Sequence, residues 1–251
     1  MAKQWIKIES VETDDGTLEL RKRGEKDFLI TIAGRVLMNS LSNRSEVILS
    51  QLALAALGRK KSPRALIGGL GMGCTLRAAL DCLPKDAKII VAELNPVVVK
   101  WCEGELAGLN GKAVSDPRVS IEIDDVASVI MKAVTKGEDE KFDCIILDLY
   151  EGPFEAGKEK GEPFYGAVAL DLTEAALNKG GVFAIWSEDP DKAFEKRLVS
   201  AGFSFETARP GRGGLRHMVY VAKKPAGVKY RGRSSGPGGK GSAGKRRGGR
   251  K

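Results

Sequence analysis

Between Ala65 and Gly202, short apolar runs alternate with amphipathic segments, and this rhythm constrains the fold more than any other property of the chain. ALIGG at 65–69, KIIVAEL at 88–94, RVSIEID at 118–124, FDCIILDL at 142–149 and GGVFAIWS at 180–187 read as strands. Helical segments separate them: CTLRAALDCL at 74–83, a stretch from Asn95-Pro96 to about Leu106, VASVIMKAV at 126–134, GAVALDLTEAAL at 166–177 and PDKAFEKRLVSAG at 190–202. Asn95 is a favoured cap residue and Pro96 suits a first helical turn, so this pair marks a helix start. Strands so continuously apolar need cover on both faces, which is the situation of a parallel sheet flanked by helices. FSFETA at 203–208 and RHMVYVA at 216–222 read as an antiparallel pair that closes the sheet.

The flanks differ from this core. Residues 4–9, 17–22 and 28–33 run apolar or alternate, with Asp14-Asp15-Gly16 as a turn, and predict a small antiparallel sheet. The next segment, SNRSEVILSQLALAALGR, predicts a helix with Asn43 and Glu46 as a capping box and Gly58 at its end. The last stretch is rich in glycine and basic residues. Eleven of the forty-one Lys and Arg residues lie from Lys223 onward, with none of the thirty-three acids, so residues 1–222 carry a net charge of −3. The basic character of the chain therefore belongs to the tail, which has too little apolar content to offset the entropy of ordering. Three regions follow: a β segment at 1–40, an α/β domain at 41–222 and a disordered tail at 223–251. Cys74, Cys82, Cys102 and Cys144 show no metal-ligand spacing and read as buried, reduced thiols, and the lone His217 excludes a histidine-rich metal site. With no signal-like N-terminus and no long apolar run, a cytoplasmic protein without membrane contact is expected.

Open parallel sheets take ligands at the C-terminal tips of their strands, where the strand order switches. Four tips here are rich in glycine or acid. The first carries Gly69, Gly71 and Gly73, spaced G-x-G-x-G where a dinucleotide fold would have G-x-G-x-x-G. The second ends in Glu93, placed to accept hydrogen bonds from both hydroxyls of a ribose. The third ends in Asp124 and Asp125, suited to a nucleobase amino group, although Asp125 serves equally well as the cap of the next helix. Asp148 ends the fourth. The polar loop at 151–165, with Phe154, Phe164 and Tyr165, reads either as a lid over an acceptor or as a solvent loop. Trp101 and Trp186 read as packing residues.

On LIGGLGMGCTLRAAL, VAELNPVVV, DPRVSIEIDD at 116–125, FDCIILDLYEGP at 142–153, EPFY at 162–165 and LNKGGVFAIWSE at 177–188, the chain resembles the spermidine synthase family, the polyamine aminopropyltransferases. The likeness spans about residues 28–222. It implies the class I Rossmann-like methyltransferase fold, with the glycine loop, Glu93, Asp124 and Asp125 holding S-adenosylmethionine or decarboxylated S-adenosylmethionine as co-substrate and no metal. The family's strand-end motif D-S-S-D-P reads Asp148-Leu149-Tyr150-Glu151-Gly152-Pro153 here, and the aspartate of its glycine loop is replaced by Met72. The resemblance thus implies Asp148 for positioning, Glu151 as base or amine anchor and Tyr150 against a small-molecule amine acceptor, within a homodimer. Methyl transfer to a small molecule or to RNA is the alternative that Met72 and Glu151 leave open. A second is an inactive nucleoside-binding protein. In each case the tail is suited to RNA or another polyanion by counterion release.

Overall fold

The strand Arg64–Gly68 (β5) shows why the sheet needs two covering layers. Ala65, Leu66 and Ile67 are each fully buried, with Ala65 and Ile67 on one face and Leu66 on the other. The computed structural model describes residues 3–149, 165–187, 189–209 and 218–227. Tyr150, Glu151, Phe154, Phe164, His217 and residues 228–251 of the basic tail lie outside them; the tail does not begin at Lys223 as expected, because Lys223 closes the last strand and Lys224 donates to the Glu174 and Leu177 carbonyls.

Seven strands form the main sheet: β5, Lys88–Glu93 (β6), Val119–Ile123 (β7), Phe142–Leu147 (β8), Leu177–Ser187 (β9), Ser204–Ala208 (β10) and Met218–Lys223 (β11). Their spatial order is β10-β11-β9-β8-β5-β6-β7. The run from β9 to β7 is parallel, and β11 pairs antiparallel with both β9 and β10. The chain moves outward from β5 through β6 to β7 and then returns to β8 on the opposite flank of β5. The order therefore switches between β5 and β8, and the crevice beyond their tips is the place such a sheet leaves for a ligand.

Helices Arg44–Leu57 (α1), Cys74–Cys82 (α2) and Pro96–Glu103 (α3) contribute Leu49, Leu76, Val98 and Trp101 to the core on one face. Helices Val126–Lys136 (α4), Ala167–Ala176 (α5) and Lys192–Ser200 (α6) contribute Ile130, Leu170 and Phe194 on the other. No described helix is long and apolar enough to cross a membrane.

The N-terminal sheet has four strands where three are expected: Ile6–Thr13 (β1), Gly16–Arg23 (β2), Asp27–Ile32 (β3) and Arg35–Asn39 (β4). The hidden hairpin between β3 and β4 turns at Ala33-Gly34, both at positive φ. Such turns favour Asn-Gly or Asp-Gly, so an alanine there gives no sequence signal. Leu18, Leu20, Phe28 and Ile30 face inward and join the same apolar cluster as Leu49 and Leu70. The Trp101 indole donates to Glu9 at 2.8 Å, fastening this sheet to the main body.

Three other expectations need correction. Asn43 precedes α1 but makes no cap, because its amide reaches Cys74 Sγ instead; the capping box is not formed. Helix α3 stops at Glu103, short of Leu106, with Gly104 outside helical geometry. Cys82 is exposed and Cys74 only half-buried, whereas Cys102 and Cys144 are buried.

Candidate functional site

Register brings the strand tips level. Gly68 pairs with Ala92 on one side and with Leu147 on the other. The next residues along, Gly69, Glu93 and Asp148, therefore stand in one row, and Asp124 follows at the end of β7. Backbone bonds extend the ladder beyond the strands: Gly69 N–H donates to the Ala92 carbonyl at 2.9 Å, Asp148 N–H to Gly68 at 2.9 Å and Asp124 N–H to Glu93 at 3.2 Å.

Gly69, Gly71 and Gly73 all have positive φ. At Gly69 a side chain would also collide with the Asp148 carbonyl, so the glycine loop and the β8 tip can lie this close only without a Cβ. Leu70 and Met72 turn inward and are buried at 2% exposure each. The position where the resemblance expects a loop carboxylate thus belongs to the apolar core.

Glu93 is 7% exposed and grips the loop it faces. Its two carboxylate oxygens accept from Leu70 N–H and Asn95 N–H, each at 2.9 Å. Burial pushes its pKa up, and the backbone N–H groups of Asn95, Leu70 and neighbouring residues oppose the rise.

Asp124 accepts from Asp125 N–H at 2.8 Å and from the Lys132 ammonium at 2.6 Å, and that ammonium lowers its pKa. Asp125 takes the cap role, one of the two open to it: its side chain accepts from Ala127 N–H at 2.8 Å at the start of α4.

Asp148 is the group most altered by its surroundings. Thr75, in the first turn of α2, donates its hydroxyl to one carboxylate oxygen, and the Trp186 indole of β9 also bonds the carboxylate. Burial and the nearby charge of Glu46 raise its pKa to about 7, and the two hydrogen bonds pull the other way. Met38, Asn39, Glu46, Leu70, Met72, Cys74 and Asp148 line the narrow crevice in front of it.

Sequence reading misses Thr75, Glu46 and Met38, because they come to Asp148 and its crevice from α2, α1 and β4 and only the tertiary fold unites them. Trp186, expected to be packing alone, holds the Asp148 carboxylate. Tyr165 is 1% exposed and packs edge-on against Phe194 at 6.2 Å, so it is a core residue and not part of a lid.

The fold matches solved structures. The crystal structure of spermidine synthase from Thermotoga maritima aligns with a TM-score of 0.67 at 20% identity, over 88% of this chain and 74% of that one. Human methyltransferase-like protein 13 in complex with SAH aligns with a TM-score of 0.58 at 20% identity, over 76% and 86%. The chain therefore has the class I methyltransferase fold. Sequence narrows this. A polyamine aminopropyltransferase of Shewanella oneidensis is 26% identical over 193 residues, 70% of this chain and 32% of its own length. One from Prochlorococcus marinus is 31% identical over 132 residues, 53% of this chain and 43% of its own length. Within that fold the chain is similar in sequence to polyamine aminopropyltransferases, and it spans less than half the length of these curated relatives. No family model matches the chain.

Proposed function

We propose that the protein is a transferase that moves an aminopropyl group from decarboxylated S-adenosylmethionine to an amine. One observation carries the choice of donor: among the described residues, the crevice lining contains two acids, Glu46 and Asp148, and no Lys or Arg. A methionine carboxylate placed there would meet like charge with no cation among the described lining residues to offset it, whereas the primary ammonium of the decarboxylated donor meets opposite charge. The relatives named polyamine aminopropyltransferase, and a spermidine synthase solved with the transition state analogue AdoDATO (TM-score 0.66), support the same reading.

In this reading Glu93 takes the ribose hydroxyls, Asp124 the adenine amino group, and Gly69, Gly71 and Gly73 let the nucleoside approach the backbone. The sulfonium makes its attached carbons electrophilic. An acceptor amine held in line attacks the aminopropyl carbon; the C–N bond forms, the C–S bond breaks, and its electron pair leaves neutral 5′-methylthioadenosine. The attacking nitrogen must first lose a proton, because a free alkylammonium titrates near ~10. Asp148, poised at about 7, is the described group suited to take it. Tyr150 and Glu151, next along the chain, are proposed to orient the acceptor and to share its charge.

Incubation with each sulfonium nucleoside and a panel of amines, followed by product analysis, tests this. Release of 5′-methylthioadenosine with an aminopropylated amine is the expected result. Release of S-adenosylhomocysteine instead would establish methyl transfer, and tight binding with neither product would mark a binding protein.

A further inference from the structure

The two ends of the main sheet differ in charge. Glu93, Asp124 and Asp148 stand at the strand tips, whereas basic residues gather at the opposite pole, where the parallel strands begin. Arg59, Lys60 and Lys61 lead into β5, and Lys223 closes β11. Lys179 lies in a stretch of β9 that loops out of register with β8.

We infer that this pole, with the basic tail that leaves it, is a docking surface for single-stranded RNA at the end of the molecule opposite the crevice. The inference is independent of the transferase reading, because it uses none of the residues at the strand tips.

Hydrogen bonds draw the basic loops together. The buried Asp143 carboxylate accepts from the Lys60 ammonium at 2.5 Å, from Arg64 N–H at 3.0 Å and from the Asn178 amide at 2.7 Å. The loop before β5 and the loop in β9 are thereby fixed to each other. Lys223 donates to the Ala56 carbonyl at 3.1 Å, at the end of α1 and three positions before Arg59. Lys224 donates to the Glu174 and Leu177 carbonyls at 2.7 and 2.9 Å, and Ala226 lies beside Gly180. Residues 228–251 therefore start from this patch.

Positive charge is in excess there. Asp143, Glu140, Glu138 and Glu174 are already paired with Lys60, Arg64, Lys141 and Lys224. Arg59, Lys61 and Lys179 are exposed and form no ion pair among the described residues. Of the described acids in the loop before β8, only Asp139 has no ion pair. The chain from Lys223 onward adds eleven Lys or Arg and no acid. A row of fixed cations continued by a glycine-rich cationic chain suits a phosphate backbone, which it binds by releasing counterions. Arg59, Lys61 and Lys179 stand on loops, not on the side of a helix or a two-stranded ribbon that could enter a duplex groove, which favours a flexible single strand. A bilayer is a poorer fit, because stable attachment to one takes an apolar or acyl anchor besides positive charge, and almost nothing apolar follows Tyr230.

Position separates docking from chemistry. Strand β8 begins at this pole with Phe142 and ends at Leu147, next to Asp148. Its length at ~3.3 Å per residue puts the pole roughly 20 Å from the crevice. RNA held there leaves the crevice open, as a tether and not as the group acceptor.

The test is binding of labelled oligouridylate to the full chain, followed by fluorescence anisotropy across a range of salt. Arg59→Gln, Lys61→Gln and Lys179→Gln together remove three charges from the body and leave the tail and the Lys60–Asp143 bond intact. This triple variant is expected to lower the slope of log K against log salt by about 2, and the affinity at ~0.1 M salt by roughly ten- to a hundredfold. R59Q with K61Q alone should give about two-thirds of that change in slope. The same number of charges removed from the N-terminal sheet, by Lys3→Gln with Lys26→Gln, should change it little. The chain without residues 226–251 should bind weakly, and the triple change should abolish what remains. Saturating RNA should leave the affinity for 5′-methylthioadenosine unaltered, and unaltered nucleoside affinity in the variants also shows that they are folded.

Full RNA affinity in the triple variant, or an equal loss in the control pair, overturns the pole as a docking surface. So does complete loss of binding on removing the tail alone. Competition between RNA and the nucleoside overturns the separation from the crevice. Tighter binding to duplex DNA or to phosphatidylserine vesicles than to the RNA, at equal phosphate, overturns the choice of partner. None of these outcomes bears on aminopropyl transfer, which product analysis decides by itself.

Discussion

Asp148 ties the chemistry to a measurable property of the folded protein. Its carboxyl binds a proton more tightly when folded, near pH 7, than as a free aspartate near ~3.9. Between those values the native state holds more protons than the unfolded state, so stability falls as pH rises through the window and levels off above it. Asp148→Asn should remove that slope. Its stability gain over wild type should be small at pH ~4 and reach on the order of 2 kcal/mol above pH ~7, less than the full shift implies because the residue keeps partial access to water. Denaturant unfolding across this range measures it, and equal slopes for the two proteins would refute the assignment. Asp148 and Glu93 are legible in the sequence because one directly follows and the other ends an apolar strand, and position alone places them at the tips. The side chains that tune Asp148 are not. Thr75, Trp186 and Glu46 lie 73, 38 and 102 positions away along the chain, and no local pattern marks their convergence.

The elements owe their legibility to strength of periodicity. Strand β8, buried at all six positions, is visible as a continuous apolar run. The β3–β4 hairpin stays hidden behind an alanine at positive φ, and the cap expected at Asn43 gives way to a long-range contact with Cys74. That contact belongs to a seam between α1 and α2 that also positions the site. Ser50, fully buried, donates its hydroxyl to the Thr75 carbonyl at 2.8 Å, and the Thr75 side chain in turn bonds Asp148. Ser50→Ala should cost about 1 kcal/mol, the usual worth of one buried neutral hydrogen bond. It should also loosen the register of the two helices, seen as faster amide exchange in the first turn of α2. A variant as stable as wild type, with unchanged exchange there, would show that the seam is held by apolar packing alone.

At the scale of the whole molecule, charge is divided between a slightly acidic body and a basic tail, both evident from composition. Residues 228–251 of the tail lie outside the described residues, and its proposed role rests on that charge. Removing residues 226–251 should weaken retention on RNA and flatten its dependence on salt, while leaving nucleoside affinity unchanged. Equal retention by the truncated protein would end the idea. The fold class and the family likeness were readable because apolar strands alternate with helices along the chain and each strand tip carries its own glycine or acid, although the parallel strands lie β9-β8-β5-β6-β7 in space. What the crevice prefers was not readable, because its walls come from β4, α1, the glycine loop and the end of β8.

That preference is where the functional reading is most exposed. Titration of the full chain with decarboxylated S-adenosylmethionine and with S-adenosylmethionine, under identical conditions, measures it directly. Two acids and no cation among the described crevice residues predict tighter binding of the decarboxylated nucleoside, by roughly tenfold or more. Equal affinities, or a preference for the carboxylated nucleoside, would contradict an aminopropyl donor.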